Sequence, residues 1–96
     1  MFAVIFNAQI NELDAEYAAT AERMRKLATS RYGCVEFIAC TEGSREIAIS
    51  YWNSLEQIRA WKTNPEHLRA QALGKSKWYK SYQVRIVEVV RQYDAK

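Results

Sequence analysis

The order of periodic segments in this chain predicts an α+β fold of ferredoxin-like type, β-α-β-β-α-β, with one antiparallel sheet carrying its helices on one face. Three observations lead there. Apolar and β-forming residues mark strands at Phe2–Ile10, Cys34–Thr41, Arg45–Asn53 and Tyr82 to about Arg91. Apolar residues recur at helical spacing between Asp14 and about Thr29. Helix-start signals follow the third strand at Ser54 and again at Asn64.

In the first strand, Phe2, Val4, Phe6, Ala8 and Ile10 alternate with Ala3, Ile5, Asn7 and Gln9, and both sets carry apolar residues. Asp14 caps the first helix, with Tyr17, Ala21, Met24, Leu27 and Ala28 on one side and Glu16, Thr20, Arg23 and Lys26 on the other. Gly33 ends that pattern. Glu42-Gly43-Ser44 turns the second strand back into the third as an antiparallel hairpin. Ile47, Ile49 and Tyr51 alternate and stop, and Ser54 and Gln57 form an S-x-x-Q capping box that opens a short helix. Asn64-Pro65 starts the next one, so two helices meet at a corner near Trp61 and His67. Gly74 ends or kinks that helix, since Gly costs about 1 kcal/mol relative to Ala in a helix interior. Residues 74–81 read as an irregular, partly helical lid. In the last strand Tyr82, Val84 and Ile86 lie on one side but Val87 and Val89 on the other, a phase change that predicts a bulge or a strand buried on both faces.

At 96 residues the chain is expected to be a single domain, too small to bury much of its surface alone. The sheet face away from the helices, taken to bear Phe2, Val4, Phe6 and Ile10, would be an apolar patch that needs cover, and a homodimer is the expectation. A net charge of +3 and a pI near 9.0 are modest, with the basic residues dispersed. The densest basic interval, Lys75, Lys77, Lys80 and Arg85, contains Trp78, Tyr79 and Tyr82, which could stack on bases. No nucleic-acid motif accompanies it, so no nucleic-acid partner is expected. Neither a membrane span nor a signal peptide is legible, so a cytoplasmic protein with no membrane partner is the expectation. Cys34 and Cys40 fall on one strand about 20 Å apart and cannot pair in that register. Metal, dithiol and nucleotide motifs are absent, and no metal site is expected.

Tyr51-Trp52-Asn53-Ser54 at a strand end, Trp61 at a helix end, Asn64-Pro65-Glu66-His67 at the next helix start and Trp78-Tyr79 before a basic last strand form a pattern spanning nearly the whole chain. It resembles the antibiotic-biosynthesis-monooxygenase family of small dimeric α+β-barrel proteins. The resemblance implies two sheets facing each other in a homodimeric barrel. It also implies a monooxygenase mechanism without cofactor, neither metal nor flavin, in which a bound electron-rich aromatic of quinol or phenol type is deprotonated and its anion reacts with dioxygen. Proteins resembling this family include quinol-type oxygenases, haem-degrading enzymes and members with no known substrate. The haem-degrading members place an Asn in the first strand and an aromatic beside the pocket, matching Asn7 and Trp61. Their iron-ligating His, ten residues after that aromatic, is here Gln71, a poor iron ligand, which makes haem degradation the less favoured reading.

His67 is the only histidine and the natural proton acceptor, although at the third position of its helix the dipole disfavours the imidazolium. Asn7 is a polar side chain in mid-strand, where Asn is disfavoured; it serves either as a pocket amide orienting a substrate oxygen or dioxygen, or as a buried amide satisfied locally. Trp52, Trp61, Tyr51, Trp78 and Gln71 are candidates for the walls around a small aromatic ligand, though such aromatics equally fill a core. Glu36, Arg85 and Arg91 read as cross-strand partners. The main alternative is a dimeric small-ligand binding or stress-related module without catalysis. A third is an isomerase or hydrolase of related shape. Oxygen dependence separates these from the oxygenase reading.

Overall fold

Alternation in Phe2–Ile10 produces the central strand on which the other elements are hung. The computed structural model describes residues 1–96 as β1 (Phe2–Ile10), α1 (Ala15–Arg31), β2 (Glu36–Glu42), β3 (Arg45–Trp52), α2 (Leu55–Lys62), α3 (Pro65–Leu73), a π-helical turn (Gly74–Trp78) and β4 (Tyr79–Glu88). The strands lie in the order β2-β3-β1-β4, every neighbouring pair antiparallel. This is the ferredoxin-like arrangement. Each α-helix starts at a side-chain cap, with Asp14, Ser54 and Asn64 accepting from the backbone N–H of Tyr17, Gln57 and His67. The box at Ser54 closes on one side only, because the Gln57 amide oxygen accepts from Asn53 N–H at 3.2 Å. Gly33 has φ of +84°, which favours glycine at this bend, and a Cβ there would also have to displace the Gln57 side-chain amide.

The register shows which set of β1 residues faces inward. Phe2 opposes Trp52 and Ala8 opposes Glu46. Phe2 and Val4 pack against the core of Leu27, Ala28, Cys34, Trp52, Ile58 and Trp61, so Phe2, Val4, Phe6, Ala8 and Ile10 form the helix-bearing set. This reverses the expected parity. The open face carries Ala3, Ile5, Asn7 and Gln9 instead, and it is still apolar at its centre, where Ile5 opposes Ile49 and Ile49 opposes Ile38.

Two further expectations are corrected. β4 begins at Tyr79, three positions before Tyr82, and the anticipated lid is a π-helical turn. Gly74 permits this, since a Cβ at that position would come within 3.1 Å of the Tyr79 ring. The slip in pairing falls between Gln9 and Ile10, opposite the start of β4, and pairing runs without a slip through Ile86 and Val87. The apparent phase change arises because β4 is an edge strand open on both sides: Val84 and Ile86 on the helix-bearing side are 48% and 46% exposed, and Val87 on the other is 37% exposed.

α3 is attached unlike the other helices. It contains no buried residue. Arg23 on α1 grips Glu66 through two hydrogen bonds of 2.9 Å, and Asn64 donates to the Tyr32 hydroxyl at 2.7 Å. Both cysteines are free, with Cys34 lying just before β2. No helix is long and apolar enough to cross a membrane.

Candidate functional site

The short α2 ends where Thr63 turns the chain, and Asn64-Pro65 immediately starts α3, which brings His67 back over Trp61. The two rings stack with centroids 4.3 Å apart and planes 15° from parallel. Trp61 is sandwiched further by Tyr32 at 5.3 Å and Trp52 at 6.4 Å. His67 Nδ1 lies 3.1 Å from the Trp61 carbonyl oxygen. A carbonyl only accepts, so Nδ1 carries the proton and Nε2 keeps the lone pair. Burial pushes the His67 pKa below the ordinary value, and the Trp61 carbonyl pulls it part of the way back. The imidazole is therefore neutral, oriented and half-buried. Gln71, one turn on, places its side-chain amide 3.4 Å from Nδ1, where the Nδ1 proton can be shared with it only through the amide oxygen.

The sequence candidates do not all converge on this corner. Asn7 and Tyr51 lie on the open face, across the sheet from His67, and the Asn7 side-chain oxygen accepts from Arg45 at 2.8 Å. Asn7 is thus a satisfied surface-facing amide, because the parity of β1 turns it away from the helices. Trp52 is fully buried and donates to the Ser50 hydroxyl at 2.9 Å, which makes it core. Trp78 is also buried, at the far end of the helix layer, donating to Asp14 at 3.1 Å and meeting Tyr17 edge-on. Trp61, His67 and Gln71 are the members brought together.

A second cluster was missed in the sequence. Glu46 on β3 is 6% exposed and faces the helices. The Tyr17 hydroxyl from α1 donates to one of its oxygens and the Tyr79 hydroxyl donates to the other at 2.8 Å. Burial, followed by the hydrogen bond to Glu46, pushes Tyr17 up to about 12. Burial, then the contacts with Tyr17 and Glu46, pushes Tyr79 upward as well. The available signal was a Glu in phase with Ala48, Ser50 and Trp52, together with Tyr17 on the apolar side of α1. Reading Ile47, Ile49 and Tyr51 as the buried set hid it.

Two grooves flank these clusters. One of about 270 Å³ runs between α1 and α3, with Met24, Leu73, Arg23 and Glu66 among its walls. The other, of about 420 Å³, is lined by Lys75, Tyr79, Lys80, Ser81 and Tyr82. No three His, Cys, Asp or Glu side chains gather as metal ligands.

No family model matches the sequence. The uncharacterized protein YqjZ of Bacillus subtilis (strain 168) is 43% identical over 93 residues, spanning 95% of this chain and 81% of that protein. Among solved structures, Rv0793 from Mycobacterium tuberculosis superposes with a TM-score of 0.82 at 14% identity, covering 97% of this chain and 98% of that one. SnoaB from Streptomyces nogalater, described as a cofactor-independent oxygenase, gives 0.79 at 12% identity over 95% and 94%. An antibiotic biosynthesis monooxygenase gives 0.70 at 14% identity over 95% and 100%. At these identities the structures speak for the fold. The chain belongs to the family of Bacillus subtilis YqjZ and has the fold of the antibiotic-biosynthesis-monooxygenase proteins.

Proposed function

We propose that this protein is a cofactor-independent monooxygenase acting on a small electron-rich phenol or quinol, with His67 as the proton acceptor. The state of His67 is the observation that carries the reading. Its ring is stacked on Trp61, its Nδ1 proton is committed to a carbonyl, and its Nε2 lone pair is left to act. A base must hold its lone pair at working pH, and burial supplies that condition here. In the proposed reaction Nε2 takes the phenolic proton, and the electron-rich anion reacts with dioxygen. For a phenol with a free para position, one oxygen atom becomes the second carbonyl of a quinone and the other leaves as water. Trp61, itself buried in the core, holds the plane of the imidazole by stacking, and Gln71 lies beside the ring at Nδ1. Asn7 lies across the sheet and has no part in this step. Fold likeness to SnoaB supports the reaction class.

Oxygen uptake with a panel of phenols and hydroquinones tests the proposal. Turnover lost in His67→Gln and retained in Asn7→Ala is expected. The rate should have an acidic limb below the ordinary histidine value of about 6.5, set by His67. A second reading, a ligand-binding module without catalysis, is favoured by one observation: both grooves are lined by residues other than His67. Saturable binding of these phenols without oxygen uptake would select it.

The working unit in this reading is a homodimer joined through the open sheet face, on which Ile5, Ile38 and Ile49 are contiguous. A monomer at micromolar concentration by light scattering would refute that assembly. The free thiols of Cys34 and Cys40 support a reducing, cytoplasmic setting.

A further inference from the structure

Glu46 is the one buried carboxylate of the chain, and base chemistry at His67 makes no use of it. We propose that Tyr79, with Glu46 as its proton acceptor, is a one-electron redox site that reduces anionic one-electron oxidants entering the groove beside it. The geometry has the parts this chemistry needs. A phenol that loses an electron becomes a far stronger acid than a carboxylic acid, so oxidation proceeds readily only if a base already holds the hydroxyl proton. Glu46 Oε2 accepts that proton's hydrogen bond at 2.8 Å. The step balances: the phenol gives one electron to the anionic oxidant, whose charge becomes one unit more negative, and passes its proton to the carboxylate, leaving a neutral phenoxyl and a neutral carboxylic acid. Tyr17 continues to donate to the other carboxyl oxygen.

Burial and hydrogen bonding keep the Tyr79 phenol protonated through the physiological range, so electron and proton leave together. The ring is enclosed edge-on by other aromatic rings, which shield a phenoxyl from water. Phe6 lies 5.2 Å away, Tyr82 6.2 Å and Tyr17 6.3 Å. Tyr79 and Tyr82 both line the groove of about 420 Å³, whose Lys75 and Lys80 draw in anionic reactants. This site is independent of any base chemistry at His67.

The test is rapid mixing of the whole protein with hexachloroiridate(IV), an anionic one-electron oxidant, followed by freeze-quench electron paramagnetic resonance. A phenoxyl signal is expected that disappears in Tyr79→Phe and persists in Tyr82→Phe. Its rate of formation should slow in heavy water, and in Glu46→Gln it should fall about tenfold, the equivalent of ~1.4 kcal/mol of barrier. A signal unchanged in Tyr79→Phe, or wild-type formation that is indifferent to heavy water, overturns the proposal. The heavy-water comparison needs no substitution and stands even if Glu46→Gln folds poorly.

Discussion

Replacing Glu46 with alanine should be among the most damaging single changes in this chain, because of what it strands. Two phenols, Tyr17 and Tyr79, converge on the carboxylate in the layer between sheet and helices. A hydrogen bond to a charged group contributes about 1.5–3 kcal/mol, and a buried donor left without a partner costs about 1–3 kcal/mol. The buried carboxylate itself offsets part of that through desolvation. Counting the two orphaned hydroxyls, Glu46→Ala should cost about 3–4 kcal/mol. A 96-residue domain has about 5–14 kcal/mol in all. The same reasoning requires that removing all three polar groups be mild: Tyr17→Phe, Glu46→Leu and Tyr79→Phe together should lie within about 2 kcal/mol of wild type. Urea unfolding at fixed protein concentration measures both, with an unchanged slope confirming that stability alone has moved. A loss under about 1 kcal/mol for Glu46→Ala, or a triple variant no more stable than the single one, would refute the reasoning.

Other expectations follow from separate features. Trp52→Ala should cost about 3–5 kcal/mol in the same assay, since the indole is fully buried in the core and its removal leaves a cavity. The lowered pKa of His67 means that the unfolded chain binds its proton first, so its stabilising contribution is complete above about pH 6.5 and is lost as pH falls from there through the folded value. The drop in urea midpoint between about pH 7.5 and pH 5.5 should therefore be smaller in His67→Gln than in wild type. Tyr17 and Tyr79 have raised values, so their contribution holds below about pH 10 and is lost above it; Tyr17→Phe should remove one late step from an ultraviolet titration, whereas Tyr79→Phe should leave the steps of the folded protein unchanged. Gly33→Ala should destabilise more than Gly43→Ala. Both have positive φ, but only Gly33 has a side chain, that of Gln57, in the way.

Local signals were legible where a single residue type sets the backbone. Asp14, Ser54 and Asn64 marked helix starts because a short polar side chain satisfies an orphan N–H, and each does so in the structure. The stacked corner of Trp61 and His67 was readable for the same reason, since a cap and a proline leave the chain little choice of direction. Parity was not readable. β1 carries apolar residues on both sides, and in β3 the larger aliphatics Ile47 and Ile49 lie on the open face while Glu46 and Ser50 face the helices. Hydrophobicity thus pointed the wrong way. Asn7 inherited that error, and Glu46 was hidden by it. The early start of β4 brings the Tyr79 ring into the space a side chain at position 74 would need, which no local periodicity encodes.

α3, which buries none of its residues and is moored by an ion pair, the hydrogen bond from Asn64 to the Tyr32 hydroxyl and one ring stack, has consequences for how the chain comes apart and how it evolves. Such a segment opens at a free energy well below that of the sheet, so its amides should exchange with solvent while β1 and β3 remain closed. His67 would travel with it, and the stacked corner would exist only as often as the helix is seated. Because so little of the fold depends on α3, substitutions there are tolerated by the scaffold, and descendants of one sheet can acquire different chemistries by revising a single nine-residue helix.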